Sequence, residues 1–343
     1  MTTFADGLFQ YGGMPVTPGV PVPFTGTTFW VDPVNGSDGN RGTTPDRAFQ
    51  TLYAAHSSAT AGKNDVVYLI GNGAASGTAR LSLANALVWD STVTAGTLVW
   101  SKNATHLIGI TAPTGVAQRA RLAPPTGTYT VTTFGSANFV TVSAAGCYFS
   151  NFSIFNGFST GGAAQIAWTD TGGRNCYNNV DFGGLADAGS AQDAGSRSLK
   201  VGSGGTGENT FHRCSIGLDT VTRTVANASL ELAGATPRNR FIECMFPFQT
   251  SSATTLGILG TGNGCVDRWN SFERCVFVNN IKSTSTGMTA LVSFTTASPG
   301  GLLIFKDCDT IGVTKIGDTN GLANSYVSNV GGAATGGLDL NPS

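Results

Sequence analysis

One unit, Asn-x-Phe-x-x-Cys-x-apolar, returns through the second half of the chain and constrains its fold more than any other feature. It reads Asn209, Phe211, Cys214, Ile216; then Asn239, Phe241, Cys244, Phe246; then Asn270, Phe272, Cys275, Phe277. Phe305 and Cys308 form a degenerate copy. Two earlier copies keep the spacing with other apolar residues, as Tyr177, Val180, Phe182 and as Phe149, Phe152, Ile154. The aromatic anchors at 149, 177, 211, 241, 272 and 305 are 28, 34, 30, 31 and 33 residues apart. A second apolar stretch precedes most anchors, at 166–168, 199–201, 230–232, 256–259 and 291–294. Each repeat therefore holds at least two short strands separated by polar turns, with no helical periodicity between them.

Repeats of strands without helices predict an all-β chain, a right-handed parallel β-helix in which like positions of successive coils stack about 4.8 Å apart. In that register Phe lies on Phe and Cys on Cys inside the solenoid. Asn is expected at a corner, tolerating a left-handed turn and laddering its amide. The residue before each stacked Cys reads Arg213, Glu243, Arg274, Asp307. As the strand neighbour of an inward residue it points outward, giving a surface column of alternating sign. Residues 66–70 and 106–110 read as earlier coil strands, and 324–330 as a final one.

Composition agrees with this reading. Only 11% of residues are charged, against roughly a quarter in ordinary soluble domains. Gly is abundant at 47 residues, as frequent turns require. Disorder is excluded by the 41% of hydrophobic residues. A formal net charge of −1 gives no electrostatic attraction for nucleic acid or an anionic membrane. No Lys or Arg precedes Arg41 and no apolar run matches a signal core or a membrane span, so the expectation is a chain made in the host cytoplasm. Seven Cys without a CxxC pair predict neither a disulfide framework nor a zinc site.

Residues 29–55, FWVDPVNGSDGNRGTTPDRAFQTLYAA, form the most specific local pattern. A short strand at 29–31 leads into a turn-rich loop. Thr44 is then placed to cap a helix with Pro45 at its first position. Phe49, Leu52 and Tyr53 would give that helix one apolar face, which closes the open end of the coil stack. This segment resembles the lead-in of the pectate-lyase-like right-handed β-helix superfamily, VDxxNGsDxNxGtsPxxAFxTlxxA. The resemblance implies the fold and leaves the activity open.

Ahead of it lies a Pro- and Gly-rich apolar arm, residues 1–26, followed by the β-helix at 27–330 and a Gly-rich tail at 331–343. Phe4, Leu8, Phe9, Tyr11 and Met14 are the arm's candidate partner-binding residues. The start GLFQYGGMPV together with VDPVNGSDGN is similar to tailed-phage virion structural proteins of the capsid-decoration type. That resemblance covers roughly the first 70 residues. It implies a location on the virion, a capsid or other virion protein as partner, and a homo-oligomer, with a trimer the form viral β-helices often take.

The catalytic inventory reads as sparse. Glycoside hydrolysis needs two carboxyl groups about 5–9.5 Å apart. The candidates are Asp181, Asp219, Glu243, Glu273, Asp307 and Asp309, of which Glu243 and Glu273 are better explained as surface charges. Asp32, Asn35, Asp38 and Asn40 offer oxygen at short spacing but lack the order of a calcium loop, and Asx-capped turns explain them better. His56, His106 and His212 are scattered, His212 reads as a surface side chain, and no GxSxG elbow occurs. The stacked cysteines read as small buried hydrophobes. Trp168 reads as core and Trp269 as a candidate platform for a sugar ring, while Trp30, Trp89 and Trp100 remain open. The expectation is thus a non-enzymatic virion protein with no catalytic residue, cofactor or metal, fastened by its arm. The alternatives are a tailspike-type polysaccharide depolymerase and a glycan-binding receptor module, either of which would engage a host glycan.

Overall fold

The aromatic rings of successive repeats lie face to face, and this stacking sets the rest of the architecture. In the computed structural model, the ring centroids of Tyr177 and Phe211, Phe211 and Phe241, and Phe241 and Phe272 are each 4.7 Å apart, with planes 4° to 6° from parallel. Phe149 extends the stack at one end and Phe305 at the other, each at 5.0 Å. These separations equal the distance between hydrogen-bonded strands, so every ring rests on the coil beneath it. The structure describes residues 25–71, 98–122, 138–154, 165–184, 191–202, 205–280, 286–296 and 299–317, together with short strands at 10–11, 14–15, 325–327 and 338–339.

The chain visits three sheets in turn, and the architecture is the expected right-handed parallel β-helix. A long sheet of 11 strands begins with Thr28–Val31, Asp65–Ile70 and Thr105–Ile110 and carries the aromatic column. Its last member, Leu338–Asp339, is antiparallel. A second sheet of 8 strands stacks Arg121–Leu122, Ser153–Ile154, Asp181–Phe182, Ser215–Ile216, Met245–Thr250, Val276–Asn279 and Asp309–Ile311. The strand Leu218–Arg223 also pairs with Met245–Thr250 in that sheet. A third sheet, also of 8 strands, runs from Leu98–Trp100 to Val313–Gly317. Their inner faces share one hydrophobic core, which includes Trp100 and Trp168.

Cys214, Cys244 and Cys275 of the cysteine column are buried as expected, and Cys308 is half-buried. The thiols of Cys244, Cys275 and Cys308 donate to the carbonyls of Phe211, Phe241 and Phe272 on the preceding coil, at 3.5, 3.4 and 3.3 Å. Burial pushes the Cys244 thiol well above its usual range. The adjoining Cys244 thiol, and then burial, push Cys275 up as well. A thiol is nucleophilic only as thiolate. Cys244 and Cys275 are therefore expected to resist a thiol–disulfide reagent in the native protein and to react on unfolding in urea. Native-state labelling at the rate of an exposed cysteine would show that the column is open.

The asparagines ladder, but they are not the left-handed residues. Backbone N–H groups of Asn175, Asn209 and Asn239 donate to the side-chain oxygens of Asn209, Asn239 and Asn270, at 2.8, 3.1 and 2.9 Å. The positive φ angles fall on Arg174, Glu208 and Arg238, just before the ladder, and on Arg213, Glu243, Arg274 and Asp307, just before the cysteines. The expected charge column thus exists for a different reason. Its members are corner residues, aimed at solvent by the left-handed backbone. Arg213 and Arg274 bracket Glu243 at 2.9 and 3.1 Å, and Glu208 likewise sits between Arg174 and Arg238.

The capping helix starts later than the sequence implied. Pro45–Arg47 is a single 3₁₀ turn, after which Phe49 is drawn into a bridge with Val31. The α-helix spans Leu52–Ser58, capped by Thr51. Leu52 and Ala55 close the core, whereas Tyr53 is exposed. Asp38 fixes the start by accepting from the Gln50 and Thr51 N–H groups and the Thr51 hydroxyl. Asp32 accepts from the Val34 and Asn35 N–H groups, which is the Asx-capped turn expected of this loop. At the other end of the helix the Lys102 ammonium donates to the carbonyls of His56, Ser57 and Ala59 at 2.6–2.8 Å, the placement that a helix C-terminus favours for a cation.

Candidate active site

On the outer face of the second sheet, the position after each cysteine-column residue forms a register of its own: Arg121, Ser153, Asp181, Ser215, Met245, Val276, Asp309. Asp181 is 2% exposed yet lines a cleft of about 250 Å³. The cleft is bounded by Val116 and Ala117 on one side and by Leu218, Asp219 and Thr220 on another. Met245, Pro247 and Val278 continue its floor along the sheet.

Local backbone builds this cleft. At Gly217 the chain bends with φ +128°, so that Ser215–Ile216 and Leu218–Arg223 both pair with Met245–Thr250. A Cβ there would stand 2.5 Å from the Pro247 carbonyl oxygen, so only glycine fits. On the opposite side Ala117 holds a left-handed φ of 54°, uncommon for a residue with a side chain, and its N–H donates to Asp181 Oδ2 at 2.8 Å. Gln118 fastens this loop to the coil by donating to the Asn179 carbonyl. Arg121 holds the loop shut on itself, donating to the carbonyls of Gln118 and Ala117 at 2.9 Å each.

Burial pushes the Asp181 carboxyl up to about 6, against the Ala117 N–H, the Ser153 hydroxyl at 2.8 Å and the Arg121 charge, which pull it down. A carboxyl tuned to that range exchanges protons near neutral pH, as a general acid or base must. Asp219 supplies a second, half-buried carboxyl in the wall of the same cleft. The Ser215 hydroxyl, in register with Asp181 one coil on, is buried beside that carboxyl and also pulls it down. Two carboxyls on one cleft, one of them raised by burial, are the residue types that glycosidic bond cleavage uses.

The other candidate acids are elsewhere. Glu243 and Glu273 are ion-paired surface residues, Glu273 with Arg240. Asp307 is an exposed corner. Asp309 shares the register of Asp181 but lies four coils away, ~19 Å at the strand spacing, too far to act with it. Asp170 is also buried, and burial raises its pKa. It is enclosed in a turn, accepting from the Gly172 and Gly173 N–H groups and the Tyr177 hydroxyl.

Trp269 is half-buried on the outer face of the long sheet, in register with exposed Leu302, and so forms no wall of this cleft. Trp30 packs on Tyr68 outside the same sheet, with ring centroids 4.7 Å apart. His212 is a surface residue beside Asn178 and Glu243. His56 and His106 are buried, and burial depresses each to about 4. Trp89 and the arm residues Phe4, Leu8 and Phe9 lie outside the described residues. Tyr11 and Met14 fall in an antiparallel pair, Gln10–Tyr11 with Met14–Pro15.

Among solved structures, the chain is similar to a pectin methylesterase in complex with a hexasaccharide, at 16% identity and a TM-score of 0.50 over 89% of this chain and 91% of that one. It is also similar to pectate lyase Pel9A, at 13% identity and a TM-score of 0.52, covering 82% of this chain and 62% of the lyase. Such identities carry the fold, that of the pectate-lyase-like right-handed β-helices. No family model and no curated protein matches the chain. The expectation of a non-enzymatic protein is corrected here. Its structural counterparts are polysaccharide-modifying enzymes. Asp181 and Asp219 were both among the sequence candidates, but which acids share one cleft, and which of them burial retunes, follows from loop docking and coil stacking that the sequence does not display.

Proposed function

We propose that this protein is a polysaccharide depolymerase that cleaves glycosidic bonds in the cleft of the second sheet. The observation that carries the reading is the Asp181 carboxyl, raised to about 6 in a cleft whose wall includes Asp219. In this reading protonated Asp181 gives its proton to the leaving glycosidic oxygen as the bond to the anomeric carbon breaks. The Asp219 carboxylate takes a proton from the attacking water, or bonds the anomeric carbon itself until water displaces it. The sugar-acting enzymes that share the fold support the substrate class.

The test is incubation with a panel of plant and bacterial-surface polysaccharides, following new reducing ends and chain length. Shortening of one of them is expected. Binding without shortening would leave a glycan-binding module instead. The resemblance of the first 70 residues to phage virion proteins supports a further part of the proposal, display of the depolymerase on a tailed-phage particle through residues 1–26. A chain lacking those residues is expected to keep its glycan activity and to lose association with the particle. Retained association would discard the attachment role.

A further inference from the structure

We infer that the cleft is built for an uncharged glycan rather than a polyuronate, an inference that rests on the depolymerase reading and narrows it. The first observation is charge. Among the described residues lining the cleft, two are aspartates and none is Lys or Arg. Arg121, the cation that acts on Asp181, is already committed to the Gln118 and Ala117 carbonyls. A polyuronate brings one carboxylate per sugar ring. Setting that charge beside Asp219 without a cation between them is unfavourable, and the low-dielectric walls strengthen the repulsion.

The second observation is the lining. Val116 and Met245 are 45% and 36% exposed, although both are apolar, and Leu218, Pro247 and Val278 extend the same surface. A mostly apolar cleft carrying a few polar groups marks a binding surface, and the C–H face of a neutral sugar ring is a matching partner. By contrast, the arginines Arg174, Arg238 and Arg268 gather around a separate cleft of about 330 Å³, at the turn between the third and long sheets. There Glu208 is shared between Arg174 and Arg238.

The test compares polygalacturonate with its fully methyl-esterified form, a matched pair differing in charge, alongside a neutral galactomannan and a neutral glucan. Initial rates of reducing-end release are measured with the full chain, and binding with the Asp181→Asn variant. At low ionic strength the esterified or other neutral polymers are expected to be cut and bound at least about tenfold better than polygalacturonate, a difference of 1.4 kcal/mol. The gap should narrow in roughly 0.5 M salt as the repulsion is screened. A preference for polygalacturonate would overturn the inference while leaving the depolymerase reading intact. Neutral polymers bound but not cut would sustain the inference and discard the cleavage step. No binding or cleavage of any polymer, bacterial-surface glycans included, would overturn both.

Discussion

Replacing Asp181 by Asn is expected to lower the rate of glycan cleavage at least ~100-fold while leaving the fold intact, because a positioned proton donor contributes about 10²–10⁴ to the rate. The Asn side-chain oxygen can still accept from the Ala117 N–H and the Ser153 hydroxyl, the two donors that hold the carboxyl. Its amide can meet the Ser215 hydroxyl, which acts on the carboxyl in the parent protein. Reducing-end release from a polysaccharide that the parent protein cuts, together with a thermal unfolding curve, checks both halves of the expectation. A variant that keeps more than a tenth of the rate would remove Asp181 from the mechanism.

The same substitution has a consequence for pH. With Asp181 acting as the acid, the rate of the parent protein falls as pH rises through about 6, where the carboxyl loses its proton. For stability the sign follows from which state binds more protons. Between the ordinary value of 3.8 and the folded value of about 6, the folded chain holds the Asp181 proton and the unfolded chain does not. Asp181 therefore makes stability fall as pH rises through that window, by on the order of 2–3 kcal/mol in total at 1.36 kcal/mol per unit.

His56 and His106 act oppositely. Each stays neutral in the fold down to about pH 4 but takes a proton below about 6.5 when unfolded, so both make stability rise with pH over that range. In the parent protein these effects partly cancel. In Asp181→Asn the histidines act without that opposition, and the rise in stability between pH 4 and 6 is expected to steepen.

How much of this was legible in the sequence depends on distance along the chain. The Phe and Cys columns were readable because stacking repeats one residue type at one spacing, as Phe211, Phe241 and Phe272 do. The charge column was readable for the same reason, although the sequence could not show that Arg213 and Glu243 owe their direction to a left-handed corner. The helix start was misread because Phe49 serves a long-range bridge to Val31 rather than the local capping pattern of Thr44 and Pro45. The cleft was hidden altogether. It is assembled from the loop at 116–117, the acid at 181 and the strand after Gly217, parts joined by coil stacking and loop docking rather than by any motif. One signal was present. Asp181 stands where neighbouring coils carry Ser153 and Ser215, so a lone acid interrupts a column of small hydroxyls between two buried apolar residues, Val180 and Phe182.

Phe241→Ala is expected to destabilise the protein by about 3–5 kcal/mol, the range for removing a buried aromatic ring. Phe241 is fully buried, with Phe211 and Phe272 stacked 4.7 Å away on either side and Phe246 packed 6.2 Å away. Its neighbours sit on coils fixed by strand pairing through Arg240, Phe241 and Ile242, so they cannot collapse into the vacated space. A void therefore remains, and the cost lies toward the upper end of the range. Because coils of a solenoid couple mainly to their neighbours, the damage should also divide the rod. Urea unfolding of the variant is expected to lose cooperativity, with amide exchange accelerated first in the strands around residue 241 and more slowly at the helix-capped end. Phe241→Leu keeps part of the volume and should cost markedly less. A loss below ~1 kcal/mol for the alanine variant would mean that the aromatic column decorates the core instead of holding the coils together.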